Sequence, residues 1–73
     1  MEIKKGTRLE IRHSRKGIFT AVATADFDSE KEEFYPVAVA IGEVDGFQTS
    51  GKWQTGENIP CRASFCTFKV LTD

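Results

Sequence analysis

The chain has one histidine, two cysteines, two prolines and only two leucines among its 73 residues. A single histidine excludes a histidine pair as a metal clamp. Cys61 and Cys66 are separated by four residues, not by the two of a zinc ribbon or knuckle. The six glycines are scattered, and none falls into a GxGxxG or GxxxxGK phosphate cradle. The acidic group Asp26, Asp28, Glu30, Glu32 and Glu33 lacks the twelve-residue calcium-loop pattern and its glycine. No metal and no cofactor is expected, and the chain reads as a non-enzyme. The longest apolar run, residues 37–41, is far short of the roughly 20 residues of a membrane-crossing helix, so no membrane partner is expected. Residues 1–6 carry charge with no apolar stretch behind them. The reading is therefore cytoplasmic, with reduced thiols: Cys66 as a small buried hydrophobe on the last strand, Cys61 near a turn.

The apolar residues are of a particular kind. Five Val, five Ile, six Phe and seven Thr stand against the two Leu, a β-branched and aromatic set that suits a pleated, half-buried surface. Without repeats or a low-complexity linker, residues 1–73 read as one all-β domain. A chain of this length buries only about 60% of the surface its unfolded form exposes, so its core is small.

Alternation places the strands. Leu9 and Ile11 alternate with Arg8, Glu10 and Arg12, a polar connection at 14–17 ends in Gly17, and alternation resumes over 18–25. Residues 7–25 thus read as a β-hairpin. The acidic connector 26–33 contains a capping-box match at 29–32, but Pro36 allows no more than one helical turn. A third strand is expected over 34–41. The pair Asp45-Gly46 suggests a two-residue hairpin, with a return strand starting at 47–49. Residues 51–56 suit either a short strand or a loop. Residues 59–62 read as a tight turn, and 64–71 as a fifth strand with Cys66, Phe68 and Val70 on one face.

Five short strands in this length suggest a sheet that curls on itself. The layout of hairpin, longer acidic loop, two strands, tight turn and final strand resembles the small SH3-like β-barrel class, which includes the KOW and Tudor types. A five-stranded OB-type barrel is the alternative.

Charge points to two candidate surfaces. Residues 1–20 carry six basic and two acidic side chains, whereas 26–33 carry five acids and one lysine; the near-neutral total of −1 hides this separation. Arg8, Arg12, His13, Arg15 and Lys16 lie on or beside the expected hairpin tip. They are candidates to contact nucleic-acid phosphates or an acidic protein surface, and a solvated turn is the plain alternative. By the resemblance, Tyr35 and Trp53 beside the acidic connector would suit capture of a basic peptide by an adaptor or assembly subunit. Ala21, Ala23 and Ala25, with Ala38 and Ala40, form small-residue faces suited to a tight interior or to a second copy. A monomer or weak homodimer is expected.

Overall fold

In the computed structural model, residues 1–46 and 51–71 are described. They form eight strands: β1 (Glu2–Ile3), β2 (Arg8–His13), β3 (Gly17–Ala23), β4 (Phe27–Asp28), β5 (Val37–Val39), β6 (Glu43–Asp45), β7 (Lys52–Gln54) and β8 (Cys66–Leu71). A 3-10 turn, Ala63–Phe65, precedes β8. The all-β expectation holds, and no α-helix forms among the described residues.

The main sheet has the order β5-β3-β2-β8, all antiparallel, with β2 in the middle. The hairpin β2–β3 follows from the alternation, and Gly17 (φ 77°) takes the left-handed conformation that ends its tip. Leu9, Ile11 and His13 point inward from β2. Opposite them are Ala21, Phe19 and Gly17 on β3, and Val70, Phe68 and Cys66 on β8. The fifth-strand expectation therefore holds from Cys66 onward. Residues 63–65 wind into the 3-10 turn instead, and the backbone N–H of Ser14 donates to the Phe65 carbonyl at 2.9 Å.

Several expectations are corrected. The third strand is shorter, three residues instead of eight. Residues 59–62 do not turn tightly. They run beside β5 and the residues before it: Ile59 N–H donates to the Val37 carbonyl (3.1 Å), Tyr35 N–H to Cys61 (2.9 Å) and Ala63 N–H to Glu33 (2.8 Å). Bridges Phe34–Arg62 and Ala38–Asn58 mark the same pairing. Asp45 pairs with Lys52 rather than forming a two-residue turn with Gly46; the return strand expected at 47–49 lies outside the described residues. Within the acidic connector, β4 pairs with β1, which alternation over two residues could not reveal.

One closed barrel is not what forms. The strands make three sheets, and among the described residues no ladder joins β8 to the 57–62 segment. The core is one cluster under the main sheet, including Ile3, Leu9, Ile11, Phe19, Phe27, Tyr35, Val37, Val39, Val44 and Ile59. Ala21 and Ala23 are buried inside it, at the close approach of β3 to its neighbours, rather than offering a face to a second copy. Among the described residues no helix is long and apolar enough to cross a membrane.

Candidate functional site

Pairing of β2 with both β3 and β8 carries the hairpin tip to the end of the sheet where the 3-10 turn lies. Three cations and two phenyl rings meet there. The Arg15 guanidinium lies over the Phe65 ring at 5.1 Å, and the Arg62 guanidinium is 5.7 Å from the rings of both Phe65 and Phe34. Arg62 is placed by the bridge to Phe34, and Phe65 by the 3-10 turn. The neighbouring Lys16 lies over the Trp53 indole at 5.2 Å. Phe34 is 53% exposed and Phe65 38%, so both rings still present surface to a ligand.

Arg62 is held by Glu33 at 2.7 Å. Among the described residues, no carboxylate comes within ion-pair distance of Arg15 or Lys16. Cations held over rings keep most of their charge available, since such contacts contribute only about 0.5–1 kcal/mol at exposed positions.

His13 does not act as a donor at the tip. It is 5% exposed, and its Nδ1 accepts the backbone N–H of Arg15 at 3.0 Å. Burial, then Lys16 and Arg15, push its pKa below the ordinary 6.5. The ring is neutral at pH 7, carries its proton on Nε2 and fixes the tip from behind. Its edge meets Phe65 with ring centroids 6.3 Å apart.

The other sequence candidates separate. Arg12 lies on the outer face of β2, 3.5 Å from Glu10. Arg8 is five residues away at the opposite end of the strand from His13, about 17 Å at the rise of an extended chain. Neither belongs to the ring-and-cation cluster. Tyr35 is a core residue, with its ring packed on Phe27 (5.2 Å) and Phe68 (5.7 Å) and its hydroxyl donating to the Ser29 carbonyl at 3.2 Å. That leaves no open cage at Tyr35. Trp53 is half-buried, under Lys16 and so close to Gly51 that an added Cβ there would fall inside the indole.

Nor do the thiols form a reactive pair. Burial pushes Cys61 up to about 12, and burial also raises Cys66, so both are protonated at neutral pH.

The sequence offers Phe34, beside Tyr35 and Trp53, as an aromatic candidate but favours the core for it, which its exposure corrects; Arg62 and Phe65 are not singled out there. Phe65 carried a signal: it has the opposite parity to Cys66, Phe68 and Val70, which marks an outward aromatic residue. Phe34 and Arg62 lie 28 positions apart, and only their pairing brings them together. No family model, curated protein or solved structure matches the chain.

Proposed function

We propose that the protein is a small non-catalytic binding module of SH3-like, partly open barrel type. The order of paired segments supports the class. Segment 66–71 lies beside 8–13, then 17–23, 37–39 and 57–62, so the chain meanders through four segments and returns its last to its first.

In particular, its ligand is nucleic acid, bound at the tip through Arg15, Lys16 and Arg62. The observation that carries this reading is the pair Arg15 and Lys16, each seated on an aromatic ring and, among the described residues, with no carboxylate in reach. Phosphates would be met by one planar fork and one point charge at the tip, and by the second fork of Arg62. Arg12 is a peripheral contact and Arg8 lies outside the site.

An amide-resolved NMR titration with short oligonucleotides at low and moderate salt tests this. Residues 13–16 and 62–65 are expected to shift. With three neutralised phosphates, the logarithm of affinity should fall with log salt at a slope of about −2 for a single strand. Absence of any shift at low salt refutes the proposal.

A further inference from the structure

The hollow between the tip and Arg62 shares wall residues with two others, His13 and Phe65 on one side and Phe34 and Pro60 on the other. It encloses about 220 Å³, lined by Arg15, Lys16, Arg62, Phe34 and Phe65. Across Phe65 and His13 lies a hollow of about 360 Å³, whose polar lining includes Arg12, Ser14, Ser64 and Thr67. Across Phe34 and Pro60 lies one of about 390 Å³, walled by Tyr35, Pro36 and Ile59. The three lie side by side and together outline a track. Its partitions are exposed phenyl rings, and Arg15, Lys16 and Arg62 all line the middle section.

This arrangement discriminates between polyanions. A duplex presents phosphates outward and keeps its bases stacked and paired, so it would engage the cations and leave the rings idle. A polyglutamate chain brings charge without flat faces. A single strand alternates phosphates with bases that are free to stack on phenyl rings or guanidinium planes. We infer, resting on the nucleic-acid reading above, that the ligand is single-stranded. It lies along this track with phosphates at Arg15, Lys16 and Arg62 and bases against Phe65 and Phe34 in the flanking hollows. Glu33 then acts as an internal competitor, because its carboxylate already occupies the Arg62 guanidinium that a phosphate would take.

The test compares binding of a labelled mixed-sequence single strand, a hairpin duplex and polyglutamate at low salt. It uses the wild type, Phe34→Leu, Phe65→Leu, Glu33→Gln and the double variant Arg15→Glu/Lys16→Glu. Both phenylalanines are exposed, so the leucine variants should fold, and an unchanged amide spectrum away from the track checks this. The single strand should bind at least about tenfold tighter than the duplex. Each leucine should weaken it about five- to tenfold and weaken duplex binding distinctly less. Glu33→Gln should strengthen it a few-fold. The inference is overturned if duplex or polyglutamate binds as well as the single strand, or if both leucine variants bind the single strand like wild type. If nucleic-acid binding is then still abolished in the double variant, charge-driven nucleic-acid binding stands without the track. If no oligonucleotide binds the wild type, the proposed function falls with it.

Discussion

The basic tip and the acidic connector carry opposite charges of similar size, yet the fold treats them differently. In the connector Asp26 and Asp28 are engaged in holding the chain. Asp28 accepts the backbone N–H of Glu30 at 3.0 Å and faces the Met1 ammonium at 3.2 Å; Asp26 accepts the N–H of Lys5 at 2.7 Å and lies near Lys4. That first hydrogen bond is the main reason the Asp28 pKa is lowered. At the tip, the Arg15 and Lys16 side chains lie over rings, with no carboxylate in ion-pair reach among the described residues. A charge run that is answered by the protein's own backbone and ions is structural, whereas one left on aromatic supports is available to a partner. Glu33 is the exception that joins the regions, being the connector's acid on the site's arginine.

The largest expected effect tests the assignment of Tyr35 to the core side of this division. Tyr35→Ala removes a ring packed between Phe27 and Phe68 and should cost about 3–5 kcal/mol. A chain of this length has only about 4–11 kcal/mol in total, so chemical denaturation should show a protein at or near unfolding. A well-folded variant with altered ligand binding would return Tyr35 to the surface.

Next comes charge reversal. Arg15→Glu with Lys16→Glu should reduce oligonucleotide affinity by about a hundredfold or more at low salt with the fold intact. The opposite reversal, Glu30→Lys with Glu32→Lys, should change it no more than about twofold. Equal and opposite effects would mean that net charge, not the local site, governs binding.

Acid should loosen the two regions in different pH windows. The folded pKa of His13 is below 6.5, so the unfolded chain takes up the proton first. Stability should fall as pH drops below about 6.5 and level off once the folded ring also protonates. Asp28 is depressed below its ordinary 3.8, so its contribution is present above that pH and is lost only in more acidic solution. Urea midpoints across this range should show the first loss in wild type but not in His13→Leu. The smallest effect is that of Tyr35→Phe. It removes the hydroxyl's bond to Ser29, costing about 0.5–1.5 kcal/mol in the same assay.

Strand parity made much of this legible, including points that local reading passed over. His13 shares parity with Leu9 and Ile11, and Tyr35 with Val37 and Val39, so both side chains were already marked as inward. Polarity, position near the tip and the resemblance to aromatic-groove binders drew both outward. Strands β2, β3 and β8 are long enough for alternation to speak. The two-residue pairing of β1 with β4 is not, and Pro60 disguised an extended segment as a turn. Arg15 and Lys16 could be found because they are adjacent in sequence. Arg62 could not, and Phe34 could be weighed only as one aromatic among several, because their neighbourhood exists only after non-local pairing.

That non-local pairing has a kinetic meaning. Register His13–Cys66 joins the first hairpin to the last strand, so a chain that has folded only residues 8–23 presents Arg15 and Lys16 without Arg62 or Phe65. Closing so long a loop is an entropically slow step in β proteins. The complete ring-and-cation cluster therefore arises only when the final strand docks. A ligand that spanned Lys16 to Phe65 would clasp the chain across that seam and raise the stability of the whole fold by mass action.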